Sequence, residues 1–281
     1  MVLITDKVTH ITSDNDHDEA VDIFEEALFT IFQDARNQHG EPGEYVLYKS
    51  GTEQYGDIKL RLANPNPEDV RCFAHFLWNA GVQAAEMITV TNEFDVQDQI
   101  VLELGAGAAL PGILCALAGA REVVLSDYPA PSILENITLN ANVNLPPTIR
   151  PNVTIQGHVW GEESDELCTA RAGTFTRIIA ADCMWMADQN PNLAKTIRTM
   201  LDPENGVCLA IAGFHTGRQK VVGFFEAVEK EGLEPIGKVF ERDVEGVERD
   251  WAVDRGFEDP VERKRWLTIA FLRVKKPMAQ S

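Results

Sequence analysis

Val101-Leu102-Glu103-Leu104-Gly105-Ala106-Gly107-Ala108-Ala109-Leu110-Pro111-Gly112 decides how this chain is read. An apolar strand runs into a glycine turn, and the turn opens a helix. The next apolar run, Val123-Val124-Leu125-Ser126, ends on an acid, Asp127. A βαβ unit of this kind holds an adenosine-bearing cofactor at the carboxyl ends of its strands. A carboxylate roughly twenty residues past the turn accepts the ribose hydroxyls.

Two residues discriminate between cofactors. A dinucleotide needs glycine at the first, third and sixth positions of the turn, because pyrophosphate and helix must both approach bare backbone. Gly105 and Gly107 supply the first two, but Leu110 stands at the sixth. Glu103 would also place negative charge close to a pyrophosphate. A sulfonium cofactor has no phosphate, and its methionine half carries an ammonium that an acidic strand end tolerates or binds. The turn therefore points to S-adenosylmethionine over a nicotinamide dinucleotide. Asp127 suits both classes and does not discriminate.

Working outward, strands and helices alternate from Gln99 onward. The pattern predicts strands at 100–104, 123–126, 153–157, 177–181 and 207–213, with helices at 110–119, 131–143, 189–201 and 217–231. Two further strands near 234–242 and 265–274 form a terminal hairpin, which completes seven strands in a doubly wound α/β sheet with helices on both faces. The hairpin carries a charged insertion, Asp243 to Lys264, bearing Trp251 and Phe257. Long loops of this kind are functional or mobile. Before the turn, a polar acidic stretch (1–19) reads as loosely ordered, and an amphipathic helix is expected from Glu19 to Asp34. Short strands are expected at 45–48 and 58–62, then a helical segment over Glu68–Thr91. The domain division is an N-terminal extension, 1–67, and a catalytic domain, 68–281.

Composition narrows the partners. The 281 residues carry a net charge of −19, which argues against direct nucleic-acid binding and suits a basic protein or peptide substrate. The plainer reading of that charge is solubility alone. Five dispersed cysteines, Cys72, Cys115, Cys168, Cys183 and Cys208, read as reduced cytosolic thiols, and no Cys/His spacing calls for a metal. There is neither a membrane-spanning run nor a secretory signal pattern.

His75-Phe76-Leu77-Trp78-Asn79-Ala80-Gly81, the glycine turn with Leu110-Pro111-Gly112, Ser126-Asp127-Tyr128-Pro129, Val159-Trp160-Gly161 and Ala181-Asp182 follow one another in this order. Together they resemble the seven-β-strand protein-lysine methyltransferases that modify chaperones and translation factors. Within these, the likeness is to the fungal group that methylates the N-terminus and lysine of elongation factor 1-alpha, once described as nicotinamide N-methyltransferases. The resemblance spans about residues 68–275. It implies a class I S-adenosylmethionine-dependent methyltransferase, monomeric and cytoplasmic, with elongation factor 1-alpha as its protein substrate.

Carried over residue by residue, the resemblance implies cofactor contacts at Trp78, Gly105, Ala106, Gly107, Asp127, Trp160 and Ala181. Glu103 and Tyr128, which flank the turn and the ribose acid, join that set. Trp78 taken alone would be a core tryptophan on a helix face, and Trp160 a strand-end residue packed under a loop. Asp182 is brought to the carboxyl edge of its strand, where such folds bind ligands. Relatives carry Tyr or Phe three positions after this acid, and here Trp185 takes that place. Asp182 would orient the acceptor amine and Trp185 would shield it, although Met184-Trp185-Met186 reads equally well as a hydrophobic cap. Phe214 and His215 are further candidates for an acceptor channel. The alternative function is methylation of a small, nicotinamide-like amine, which needs a closed apolar pocket rather than an open groove. A scaffold without activity is disfavoured by the intact turn.

Overall fold

A computed structural model describes residues 3–11 and 37–276. The helix expected at Glu19–Asp34 lies outside the described residues. Part of the stretch read as loosely ordered forms a 3-10 turn, Ile4–Lys7, and strand β1, Val8–Ile11. The reason is burial: Ile4 and Val8 enter the core, and Lys7 Nζ lies 2.7 Å from Glu86 Oε2.

Strand β2 (Gln38–His39) is followed by β3 (Tyr45–Lys49) and β4 (Asp57–Arg61). β1, β3 and β4 make a small antiparallel sheet in that order. Its inner face presents Val46, Tyr48, Ile58 and Leu60 at alternate positions, as a half-buried sheet requires. Tyr48 donates a 2.5 Å hydrogen bond to Glu86 Oε1, fastening this sheet to the body.

The single helix expected over Glu68–Thr91 does not form. The segment divides into a 3-10 turn (Val70–Cys72), strand β5 (Leu77–Trp78) and helix α1 (Asn79–Thr89). Phe73 adopts a left-handed φ of 52°, which stops the turn. Trp78 is held extended because it pairs with Gln38 of β2. Trp78 thus precedes the helix rather than riding on it.

The alternating region follows the sequence pattern closely. It runs β6 (Ile100–Leu104), α2 (Leu110–Leu117), β7 (Glu122–Asp127), α3 (Pro131–Asn144), β8 (Val153–Gly157), α4 (Glu166–Arg171), β9 (Arg177–Ala181), α5 (Asn190–Met200), β10 (Val207–Gly213) and α6 (Arg218–Lys230). Only α4 was not anticipated; its cap is Asp165, whose side chain accepts from Cys168 N. The expected strand at 234–242 breaks in two, β11 (Leu233–Pro235) and β12 (Phe240–Asp243), around Gly237 at φ 71°. The insertion is structured as well, giving β13 (Glu248–Asp250) and α7 (Pro260–Lys264) before β14 (Trp266–Val274).

The main sheet runs β13-β12-β14-β10-β9-β6-β7-β8, with β11 also on β14. The seven expected strands are therefore present as β8-β7-β6-β9-β10-β14-β12, and β11 and β13 extend the sheet to nine. β6 to β10 are parallel and buried on both faces. Val101, Val123, Leu125 and Ile179 face α1, α2 and α3. Leu102, Leu104, Val124, Ile178 and Ala180 face α4, α5 and α6. The chain leaves β6 towards β7 on one side and returns to β9 on the other. This switch point opens a crevice at the carboxyl ends of β6 and β9.

Candidate active site

The crevice is a cavity of about 500 Å³, within the range of small-molecule sites. Every cofactor and catalytic residue expected from the sequence lines it: Trp78, Glu103, Gly105, Ala106, Gly107, Asp127, Tyr128, Trp160, Ala181, Asp182 and Trp185.

Backbone conformation shapes the inner wall. Gly105 and Gly107 have φ of 63° and 53°, and Ala109, which caps α2, has 63°. A Cβ on Gly105 would lie 2.8 Å from Cys183 Sγ and 3.4 Å from Trp160 Cζ2, so glycine is needed there for space as well as conformation. The turn is stitched to its neighbours: Ala106 N donates to Ser126 O at 3.0 Å, and Gly107 N to Asp127 Oδ2 at 2.8 Å. Asp127 Oδ1 accepts from Tyr128 N at 2.7 Å. Burial pushes the Asp127 carboxyl up to about 6 despite these two donors.

Glu103 does something the sequence did not disclose. Strand alternation turns it towards α2, where Oε2 accepts from Gly112 N at 2.9 Å. Ala109 has no side-chain group to cap the helix, so Glu103 caps it from the preceding strand. Burial pushes its carboxyl up to about 8. Gly112 itself provides the close helix–sheet approach. A Cβ there would meet Leu125 Cδ2 at 2.1 Å and Glu103 Oε2 at 2.5 Å.

The outer wall is aromatic. Phe73, Phe76, Trp78 and Trp185 line it, and of these the sequence reading missed Phe73 and Phe76. Phe73 meets Trp185 edge-on at 5.0 Å, while Phe76 meets Trp78 at 5.8 Å. Trp78 Nε1 donates to Phe73 O at 3.2 Å, and its ring stacks on His215 at 4.7 Å. The aromatic run His75-Phe76 beside Trp78 was the available signal, but a left-handed Phe73 was not foreseeable.

Asp182 sits between the two walls. Its φ of 58° turns the chain sharply after β9, and Gly213 N donates to its Oδ1 at 3.2 Å. Burial raises its carboxyl above the ordinary range, opposed by His215 and the Gly213 bond. His215 Nδ1 lies 3.9 Å from Asp182 Oδ1, too far for a hydrogen bond, and has no other hydrogen-bond partner among the described residues. Phe214 does not line the cavity. It is fully buried and stacks on Trp251, which removes it from an acceptor channel.

The loop bearing Trp160 is held by His158, whose Nδ1 contacts Asp165 Oδ2 at 2.5 Å and Nε2 contacts Thr196 Oγ1 at 3.0 Å. Thr196 Oγ1 also accepts from Gly161 N at 2.8 Å. His158, Asp165 and Cys168 place donor atoms within 4.8 Å of one another, as metal ligands would. Their groups are already engaged in bonding one another and capping α4, and burial pushes the Cys168 thiol up to about 12.

Comparison with known proteins shows the family and the fold class. A model of the lysine methyltransferase family matches residues 57–231, more than half of the chain. The chain belongs to the lysine methyltransferase family. It is 33% identical over 183 residues to the protein N-terminal and lysine N-methyltransferase EFM7 of Candida glabrata, covering 64% of this chain and 69% of that one. The same-named protein of Kluyveromyces lactis is 32% identical over 204 residues, covering 66% and 73%. Among solved structures, SMU.776 complexed with SAH superposes with a TM-score of 0.55 at 12% identity, covering 91% of this chain and 66% of that one. The glycopeptide N-methyltransferase MtfA complexed with sinefungin gives 0.50 at 12%, covering 69% and 94%. These two likenesses establish the class I methyltransferase fold. The methyl donor of a lysine methyltransferase with this fold is S-adenosylmethionine, and the left-handed glycine cradle beside Trp160 fits an adenosine-bearing ligand.

Proposed function

We propose that this enzyme methylates the N-terminal amine, the adjacent lysine, or both, of elongation factor 1-alpha, acting as a monomer in the cytoplasm. The observation that carries this reading is that the glycine cradle after β6 and the acid after β9 open into one cavity whose outer wall is aromatic. Gly105, Ala106, Gly107, Trp160 and Ala181 would hold the adenosyl part, Asp127 the ribose and Glu103 the ammonium end, with Tyr128 and Trp78 closing the sides. The bound cofactor supplies an electrophilic methyl group.

The protein's task is to present a neutral amine in line with that group, since an ammonium has no lone pair. Alignment alone contributes about 7–11 kcal/mol. A lysine near pKa 10.4 costs roughly 4–5 kcal/mol to deprotonate at neutral pH, whereas an α-amine near 8 costs far less. Asp182 hydrogen-bonds the incoming ammonium, takes its proton and fixes the direction of the lone pair. His215, whose Nδ1 lies 3.9 Å away without a hydrogen-bond partner among the described residues, receives that proton next through a water. Trp185 and Phe73 shield the amine and stabilise the methylated cation.

A protein acceptor is favoured over a nicotinamide-like amine by the rim, where Phe73 and Tyr128 are each 39% exposed rather than closed over the cavity. Incubation of the enzyme with labelled S-adenosylmethionine, purified elongation factor 1-alpha and nicotinamide, followed by peptide mass mapping, tests the proposal. Label in the N-terminal peptide is expected. Label in nicotinamide alone overturns it.

A further inference from the structure

The insertion between β12 and β14 is held down by a buried ion network. Glu241, fully buried, is contacted by three arginines: Arg218 Nη1 at 2.5 Å, Arg249 Nε at 2.6 Å and Arg255 Nε at 3.3 Å. Arg218 also grips Glu258 through Nη2 at 2.8 Å and Nε at 3.0 Å, and donates to Ala252 O at 2.9 Å. Its guanidinium lies 4.1 Å from the Phe214 ring and 5.2 Å from the Trp251 ring. Buried ion networks contribute little net stability, and their best-attested use is to fix one arrangement.

What this arrangement fixes is a surface display. Glu258 is pinned, yet its neighbour Phe257 is 93% exposed, and Val253 and Val247 are each 54% exposed. The display also leaves the same end of the sheet as the cavity. Leu267 pairs with Gly213 and Trp266 with Asp243, so the insertion leaves the same sheet edge as Asp182 and His215. From Asp243 to Lys264 it carries eight acids against four bases, a net charge of −4. Arg249 and Arg255 are already committed to Glu241.

We propose that the anchored segment Trp251–Glu262 is a docking platform for the protein substrate, gripping an apolar patch with a basic border at a distance from the methylated amine. This rests on the reading that the acceptor is a protein. Phe257 supplies the aromatic anchor, and the surrounding acids steer the basic border. The same acids repel anionic lipid headgroups, which sets the exposed ring apart from a membrane anchor.

The test compares intact elongation factor 1-alpha with a synthetic peptide of its N-terminal residues, using wild-type enzyme, Phe257→Ser and Glu262→Lys. Both side chains are exposed, so neither change disturbs the core. Phe257→Ser should raise KM for the intact protein about tenfold with kcat unchanged, as loss of one aromatic anchor does. Glu262→Lys should raise it less, and only at low salt. Both variants should methylate the peptide as wild type does. Unchanged kinetics on the intact protein overturn the platform while leaving the proposed function standing, and equal losses on both substrates overturn it as well. Failure of the wild-type enzyme on both substrates overturns the function and the platform together.

Discussion

On the side proposed to hold the cofactor the cavity is walled by backbone, with Gly105 and Gly107 in left-handed conformation, Gly107 N tied to Asp127 and Ala106 N to Ser126 O. On the side proposed to take the acceptor it is walled by rings: Phe73 and Trp78 from the segment before α1 and Trp185 from the turn after β9, packed against one another and against His215. Backbone walls tolerate few substitutions because conformation and space are both fixed. Ring walls can exchange one aromatic for another, since each ring supplies a face and not a fixed backbone conformation. The first side is therefore the more constrained of the two, and the second the more open to change.

Several substitutions break or sharpen this contrast. The largest effect is expected for Asp182→Asn, which keeps the shape but cannot take a proton. Turnover should fall at least about a hundredfold, the usual scale of a lost proton acceptor, measured as kcat under saturating substrates. Next comes Gly112→Ala on the backbone side. Its Cβ would press on Leu125 and Glu103, and overpacking of this kind costs about 1–3 kcal/mol, read as a lowered midpoint in denaturant. Trp185→Ala should raise KM for the protein acceptor roughly tenfold, in line with a partly desolvated cation–π contact of about 1 kcal/mol or more. Trp185→Phe should recover most of it.

The smallest expected effect is one of pH. Burial holds the Glu103 carboxyl up to about 8, against 4.5 for a free glutamate. Between those values the native state keeps a proton that the unfolded chain has released, so stability falls as pH rises through the window. Glu103→Gln keeps an oxygen for Gly112 and has nothing to ionise. Thermal melts should show the variant gaining on wild type steadily from pH 5 to pH 8. A constant difference would remove Glu103 from its buried, protonated state.

Much of the cofactor side was legible in the sequence because strand, turn and acid are contiguous and each residue type answers a local demand. Glu103 was placed correctly at the cavity, but its bond to Gly112 depends on which way strand alternation turns it against α2. Leu110 stands where a dinucleotide turn needs glycine; in the fold it is buried at the helix start, and Gly112 makes the close approach instead. The acceptor side was less legible. Trp78 was expected on a helix, and it is extended because Gln38, forty residues earlier, pairs with it. Phe214 was expected at the channel, and Trp251 of the insertion draws it into the core. Neither partner lies near enough in sequence to leave a periodic signal. Charge pattern alone also made the insertion read as a loop, whereas buried Glu241 organises it.

The separation of the two sides is tested most directly by calorimetric titration of S-adenosylhomocysteine into Asp127→Ala and Asp182→Asn. Asp127→Ala should lose about tenfold or more in affinity, the worth of hydrogen bonds to a charged acceptor, while Asp182→Asn should bind as wild type does. Equal weakening in both variants, or wild-type affinity in Asp127→Ala, would contradict the division of the cavity.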